Sequence, residues 1–211
     1  MRGLVSVPLL AVIAYFRKSL FIRIDWRNWR VILIRAFAEL ASTMLFLNAL
    51  AQMPLANVSA ILQSLPLTVT MFAAMFFGEA VGWRRWSAIL VGFIGVLIII
   101  RPGSDGFNEY AVLALVAVGF ITLRDAITRR LDRSVPSLFV AFVSAIPVFL
   151  FGGAMTVTTG WTPISWSMGM IVTVAAISIT CGYLFAVMAM RIGDISFVAP
   201  FRYTGMIWAI L

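Results

Sequence analysis

The sequence predicts an all-α, polytopic membrane helix bundle, and three observations lead to this fold class. Hydrophobic residues make up 63% of the 211 residues and charged residues only 11%, whereas a soluble domain has about 25% charged residues. The mean hydropathy is +1.05. The apolar runs are apolar on every side and lack the alternation of a β-barrel strand. A water-soluble fold and a disordered chain are therefore excluded.

Eight apolar segments follow one another along the chain, and each is interpreted as a membrane helix. Three of them are shorter than the roughly 17–25 residues that usually span a bilayer. Aromatic residues flank two of these short segments and extend them into the membrane interface. The eight segments are 4–16, 31–51, 54–77, 86–100, 110–123, 135–158, 165–190 and 195–211.

The basic residues lie on alternate connections between the segments. Twelve Lys and Arg residues lie on connections 17–30, 78–85, 124–134 and 191–194, against one on the other three. Because basic connections stay in the cytoplasm, this pattern predicts the orientation and supports the count of eight helices. It also explains most of the net charge of +8. The expected partner is the lipid bilayer and not a nucleic acid.

The two ends of the chain suggest an internal piece of a longer protein. The predicted orientation places the first residue outside the cytoplasm, and the sequence finishes inside the apolar run 208–211. We therefore expect at least one helix before residue 1 and the rest of a helix after residue 211.

Several stretches resemble the EamA branch of the drug/metabolite transporter superfamily. Residues 54–66 resemble its fourth helix, the pair Gly78-Glu79 its helix-ending Gly-Glu, residues 86–103 its fifth helix and residues 194–204 the start of its ninth. The resemblance implies two inverted five-helix repeats, of which the chain would hold helices two to nine. The first repeat would cover residues 1–101 and the second residues 102–211. The short connections at 49–58 and 189–198 echo each other in opposite orientation, as inverted repeats predict.

The resemblance implies a multi-pass transporter of the cell inner membrane. It would move a small organic metabolite by alternating access, without a cofactor. Family substrates include amino acids, nucleotide-derived metabolites, vitamins and drugs, so the substrate, the direction and a homodimeric state stay open. The alternatives are an inactive truncated membrane protein and, less favoured, an intramembrane enzyme. The chain has no His and a single Cys, so neither a metal site nor a His-based nucleophile is expected.

Arg35 and Glu39 are the first candidate site residues. An ionisable side chain within a span is costly and usually faces an interior or a water-filled cavity. The two residues are four positions apart, share a helix face and can pair. Two interpretations stay open for them. Arg35 either reaches the inner surface with Glu39 as its structural partner, or the two face a cavity and meet a charged substrate or a coupling proton.

Arg202 and Tyr203 are the second candidate pair. Arg202 lies about 12 Å beyond Asp194 along a helix, too deep for easy contact with the surface. Pro200 just before it frees backbone carbonyls that a cavity could use. Arg202 is interpreted as a cavity-lining residue or as half of a structural ion pair, and Tyr203 as a residue that stacks on an aromatic ligand.

Gln63 completes the predicted substrate site. With an offset of 140 residues it corresponds to Tyr203, and matching positions of inverted halves face one central site. It also lies on a polar stripe with Ser59, Pro66 and Thr70, for which hydrogen bonding between helices is the alternative. In contrast, Gly92 and Gly95 are interpreted only as close-packing positions.

Overall fold

The computed structural model describes residues 2–20, 22–79, 81–100, 109–160, 165–192 and 194–204. Within these ranges the regular elements are all helices, so the predicted all-α class is confirmed. The boundary between the predicted repeats at 101/102, the Arg101-Pro102-Gly103 stretch and residues 205–211 of the last apolar segment lie outside the described residues.

The described part of the chain forms nine α-helices and one 3₁₀ helix. Five stretches within the described residues are long and apolar enough to cross a membrane: Trp26–Gln52, Leu55–Phe77, Glu109–Thr128, Ser137–Thr158 and Trp166–Ile192. The helices are α1 Arg2–Phe16, α2 Trp26–Gln52, α3 Leu55–Leu62, α4 Leu65–Phe77, α5 Trp83–Ile100, α6 Glu109–Thr128, α7 Ser137–Thr159, α8 Trp166–Ile192 and α9 Ile195–Val198, followed by the 3₁₀ helix Ala199–Tyr203.

Two helices continue well beyond the apolar segments that predict them. Helix α2 begins at Trp26 rather than residue 31, and α6 ends at Thr128 rather than residue 123. The expected bounds were wrong because hydropathy marks where a helix is apolar, whereas the backbone hydrogen bonds continue through its polar turns. The correction matters for α6, because Arg124 and Asp125 lie on a helix instead of a connection.

The predicted span 54–77 is divided into two helices at Gln63 and Ser64. Pro66 follows directly, and a proline has no N–H with which to bond the carbonyl of Leu62 one turn earlier. Ser64 stabilises the junction, since its hydroxyl donates to the carbonyl of Ile61 over 2.6 Å. Gly78 ends α4 in the left-handed conformation, with φ +64°, where a residue without a Cβ is favoured.

The residues divide into two compact units. Unit 1 comprises Met1–Leu40 and Ile127–Arg191, and unit 2 comprises Ala41–Ala126 and Ile192–Leu211. This division groups residues by spatial contact. The repeats at 1–101 and 102–211 and the orientation in the membrane stay predictions.

Unit 1 is built on helix α1 packed against α7 and on an apolar core between α2, α7 and α8. A Cβ on Gly3 would lie 3.3 Å from the Cα of Phe149, so α1 and α7 approach closely. Thr180 of α8 donates to Ser6 of α1 over 2.7 Å. The core residues are Ile32, Leu131, Val135, Phe139, Val140 and Val187.

Unit 2 packs α4 against α5, α9 and the 3₁₀ helix, and α3 against α5. A Cβ on Gly92 would overlap the side chain of Leu67, so its predicted role in close packing is confirmed. A Cβ on Gly95 would meet no described atom within 4 Å, and close packing is not its role within this unit. The core residues are Ala49, Met53, Val58, Ile61, Val96, Ala111, Ala114 and Val118.

Candidate substrate site

The first polar cluster lies in unit 1 and is centred on Arg35. We call Arg35, Glu39, Thr128, Ser144 and Tyr183 the Arg35 cluster. The guanidinium of Arg35 donates to the hydroxyls of Thr128 over 2.9 Å, Ser144 over 2.6 Å and Tyr183 over 2.7 Å. These partners come from α6, α7 and α8, and Arg35 itself from α2. Four helices therefore meet on one cation.

Tyr183 connects the two charges of the Arg35 cluster. Its hydroxyl accepts from Arg35 and donates to the Glu39 carboxylate over 3.0 Å. The Cζ atom of Arg35 also lies 5.3 Å from the centroid of the Tyr183 ring, within the range of a cation–π contact. The predicted Arg35–Glu39 pair is thus linked through a third side chain, which the spacing along α2 did not indicate.

The Arg35 cluster is closed to solvent. Arg35 is 1% exposed and Glu39 6% exposed. Arginine has five N–H donors, and three of its hydrogen bonds here go to uncharged hydroxyls. A buried charge tolerates this environment only when its hydrogen bonds are satisfied and a counter-charge is near. The enclosed Arg35 does not reach a surface, as the first interpretation expected, but the geometry keeps Glu39 as a structural partner and favours a cation that holds four helices together.

The second polar cluster lies in unit 2. We call Arg124, Asp125 and Arg202 the Arg202 cluster. One carboxylate oxygen of Asp125, Oδ1, lies 2.9 Å from Nε of Arg124, and the other, Oδ2, accepts from Nη2 of Arg202. Asp125 and Arg124 belong to α6, and Arg202 to the 3₁₀ helix that follows α9. A single carboxylate thus bridges two guanidinium groups.

The Arg202 cluster differs from the first in charge and in exposure. Two arginines and one aspartate give it a formal charge of +1, if all three are ionised. The Arg202 side chain is 26% exposed, while those of Arg124 and Asp125 are 14% and 6% exposed. Arg202 is therefore the most accessible of the three charged side chains. An accessible cation with a fixed, planar set of donors is suited to bind a carboxylate or phosphate group.

The remaining predicted site residues, Tyr203 and Gln63, belong to the same unit as this cluster. Tyr203 follows Arg202 on the 3₁₀ helix and is half-buried. Gln63 is half-buried and ends α3 at the junction with α4. Helix α4 packs on the 3₁₀ helix, so the broken span and the Arg202 segment are neighbours.

The predicted polar stripe around Gln63 does not form one continuous face, because the span is divided at the junction. Ser59 is exposed, whereas Thr70 is buried and donates to the carbonyl of Pro66 within its own helix over 2.7 Å. The hydrogen bond between helices is made instead by Thr68 and Thr122, whose hydroxyl oxygens are 2.7 Å apart.

Sequence reasoning did not assign to the site five residues that complete the two clusters: Thr128, Ser144 and Tyr183 around Arg35, and Arg124 and Asp125 beside Arg202. The three hydroxyls are scattered between residues 128 and 183, and no local sequence pattern marks them. Asp125 did carry a signal, because a helix that continued one turn past residue 123 would have placed a carboxylate inside the membrane. Among the residues that the structure describes, no group of three or more His, Cys, Asp or Glu side chains could hold a metal ion.

Comparison with known proteins agrees with the predicted resemblance. Residues 1–101 match the model of the EamA-like transporter family. The chain is related to the EamA-like transporters. It is 28% identical over 200 residues to a riboflavin transporter of Vibrio cholerae, covering 92% of this chain and 66% of the relative. No solved structure gives a significant match.

Two further relatives carry other names. An S-adenosylmethionine uptake transporter of Rickettsia conorii is 25% identical, over 75% of this chain and 53% of its own length. The pseudopaline exporter CntI of Pseudomonas aeruginosa is 24% identical, over 84% of this chain and 63% of its own length. The chain thus spans between about half and two thirds of the curated relatives it matches. With five apolar spans and transporters as relatives, it is a multi-pass protein of the inner membrane.

Proposed function

We propose that this protein transports a small organic metabolite across the inner membrane by alternating access. The family match and the three named relatives support transport in general. Those relatives include both an uptake transporter and an exporter, so they assign no direction. Because all of them are named as transporters, they also favour transport over an intramembrane enzyme. The inverted repeats proposed for residues 1–101 and 102–211 would supply the two alternating halves.

The single observation that carries the proposal is the Arg202 cluster. A charged group within a membrane segment is costly and is kept where it meets a partner or a substrate. Arg202 has one carboxylate contact and a partly exposed guanidinium. We infer that Arg202 binds the anionic or strongly hydrogen-bonding group of the substrate.

Tyr203 and Gln63 are assigned to the remainder of the substrate. The half-buried ring of Tyr203 suits a planar or aromatic body, and the amide of Gln63 both donates and accepts hydrogen bonds. Arg35 and Glu39 are assigned to the frame of the transporter, since their cluster is closed and internally hydrogen-bonded.

The experiment is transport by the purified protein at its natural length, reconstituted in liposomes. The assay measures counterflow of radiolabelled small metabolites, grouped as anionic, neutral and cationic. We expect saturable counterflow of at least one anionic compound and its loss in Arg202→Ala. The control is Arg84→Ala, which removes an exposed arginine at the start of α5. Absence of counterflow across the whole panel would exclude transport.

A further inference from the structure

We propose that the connection between α1 and α2 binds the headgroup of an anionic phospholipid. The proposal goes beyond the proposed function, because it concerns the lipid around the protein and not a transported metabolite. The predicted orientation places this connection in the cytoplasm, beside the leaflet whose anionic lipids attract basic segments. The binding surface is made of five basic residues, which we call the α1–α2 patch: Arg17, Lys18, Arg23, Arg27 and Arg30.

The side chains of the α1–α2 patch are exposed, and within the described part of the chain none of them makes an ion pair. Asp25 is the only acidic residue between positions 17 and 30, and its carboxylate accepts from the backbone N–H of Arg27 over 3.3 Å. Asp132, from the connection after α6, accepts instead from the amide of Asn28 over 2.7 Å. The patch is therefore open to an anion from outside the protein.

The backbone that carries the patch is fixed from inside unit 1. At the end of α1, the N–H and the hydroxyl of Ser19 both donate to the carbonyl of Ala14, over 2.9 and 3.0 Å. Leu20 and Ile24 pack against the apolar core of unit 1. Because these anchors lie between the basic residues, a headgroup can bind without the entropic cost of ordering the main chain.

Helix electrostatics also favours an external anion at the start of α2. The first turn of a helix carries a partial positive charge, so a cation is unfavourable there. Arg27 lies in the first turn of α2, and Arg30 follows three residues later on the same face. A phosphate group that accepts hydrogen bonds from these guanidinium groups would offset their charge.

The aromatic residues beside the patch indicate a lipid rather than a soluble anion. Phe16 at the end of α1 is 79% exposed, and Trp26 at the start of α2 is 70% exposed. Large aromatic side chains at the ends of membrane helices lie at the level of the headgroups. Arginine and lysine reach the phosphates from this level while their methylene groups stay against apolar surface. A group of about four to eight cations next to a membrane helix is typical of anionic-lipid binding.

The test measures lipid binding to the protein at its natural length, purified in an uncharged detergent, by native mass spectrometry. The probes are dioctanoyl phosphatidylglycerol, which is anionic, and dioctanoyl phosphatidylcholine, which is zwitterionic. We expect the Kd for phosphatidylglycerol to be at least about tenfold lower, and to rise about fivefold in Arg27→Gln. Arg27→Lys should retain most of the affinity, because the positive charge stays.

Arg84→Gln is the matched control for Arg27→Gln. Arg84 is also an exposed arginine that follows a tryptophan at the start of a helix. Its Cζ atom, however, lies 5.7 Å from the centroid of the Trp83 ring, within the range of a cation–π contact. The variant should change the Kd for phosphatidylglycerol by less than about twofold. Size-exclusion profiles verify that each variant folds.

Lys18→Asn is a second test that does not depend on Arg27. Lys18 has φ +52°, a left-handed conformation that asparagine adopts more readily than lysine. The thermal unfolding midpoint in detergent without added lipid should therefore stay unchanged or rise. The Kd for phosphatidylglycerol should still increase about fivefold, because a cation is lost. Weaker binding that appears only together with a lower midpoint would make residue 18 structural and count against the patch.

Three results would overturn the proposal. Equal Kd values of the unmodified protein for the two lipids would show that the headgroup charge is not recognised. Equal losses of binding in Arg27→Gln and Arg84→Gln would indicate attraction by net charge alone. Displacement of the lipid by glycerol 3-phosphate would make the patch a site for a soluble phosphate. The transport assay does not enter these measurements, so the proposed function is tested separately.

Discussion

The two arginine clusters stabilise a charged side chain within a predicted membrane span in different ways. Arg35 is enclosed in unit 1 and distributes its donors over three hydroxyls, and its counter-charge Glu39 is reached through Tyr183. Arg202 in unit 2 bonds a carboxylate directly and stays 26% exposed. The first arrangement uses its donors to connect helices. The second arrangement leaves the guanidinium partly accessible and bonds it to a single carboxylate.

The comparison shows that the depth of a charge along a membrane helix does not decide its role. Both arginines lie within predicted spans, and both were candidates for the substrate site. They differ in what surrounds them: removal of Arg35 leaves Glu39 buried, whereas removal of Arg202 leaves Asp125 still bonded to Arg124. Loss of Arg35 should therefore act on stability, and loss of Arg202 on transport.

The largest expected effect is on stability, from Arg35→Ala. We expect the free energy of unfolding to fall by about 3–5 kcal/mol, because a buried carboxylate loses its counter-charge. Folded yield in detergent and the thermal unfolding midpoint measure the loss. The double variant Arg35→Ala/Glu39→Ala should recover most of the yield, since it removes both charges. A double variant that folds no better than Arg35→Ala would show that the two charges are not coupled through Tyr183.

In contrast to Arg35→Ala, Arg202→Ala should lower transport and leave folding intact. Counterflow of an anionic substrate should fall at least about tenfold, the value of one charge-assisted hydrogen bond, while folded yield stays at the level of the unmodified protein. Counterflow by Arg202→Lys should lie between that of the unmodified protein and that of Arg202→Ala, because an ammonium group keeps the charge without the planar fork of donors. Normal transport by Arg202→Ala would remove Arg202 from the substrate site. A collapse of folded yield would instead make it a structural residue like Arg35.

Tyr183→Phe tests whether the hydroxyl between Arg35 and Glu39 carries the coupling. We expect the free energy of unfolding to fall by about 1–2 kcal/mol, since both charges lose one buried hydrogen-bond partner. Tyr15→Phe is the control, because Tyr15 is an exposed tyrosine of unit 1. Thermal unfolding of the two variants in one detergent gives the difference. Equal midpoints would place the coupling elsewhere in the Arg35 cluster.

Much of the fold follows from the sequence, because hydropathy reports directly on which segments the bilayer accepts. The broken span was also within reach, since Pro66 cannot complete the hydrogen bond to Leu62. The clusters were only half predictable. Arg35, Glu39 and Arg202 are conspicuous because a charge in an apolar segment is rare. Tyr183 and Ser144 are not, because a single hydroxyl in an apolar helix gains meaning only from the neighbour that folding brings to it.

The smallest expected effect concerns the neutral hydrogen bond between Thr68 and Thr122. Thr68 donates to the carbonyl of Leu65 and shares a second bond with Thr122, one turn before Asp125 on α6. In a double-mutant cycle of Thr68→Val and Thr122→Val, we expect a coupling of about 0.6 kcal/mol, typical of such bonds in membrane proteins. Thr70→Val replaces Thr68→Val in the control cycle, because the Thr70 hydroxyl bonds within its own helix; no coupling is expected there.

The coupling energy between Thr68 and Thr122 decides how a transport defect of Arg202→Ala is interpreted. If the neutral bond contributes so little, unit 2 does not depend on it, and a transport defect in Arg202→Ala cannot be attributed to general loosening of α4 against α6. A coupling of several kcal/mol would mean that the hydroxyl pair holds these helices as firmly as Arg35 holds its own. The contrast between an enclosed cluster in unit 1 and a partly accessible cluster in unit 2 would then lose its functional meaning, because a substitution in either cluster would act first on folding.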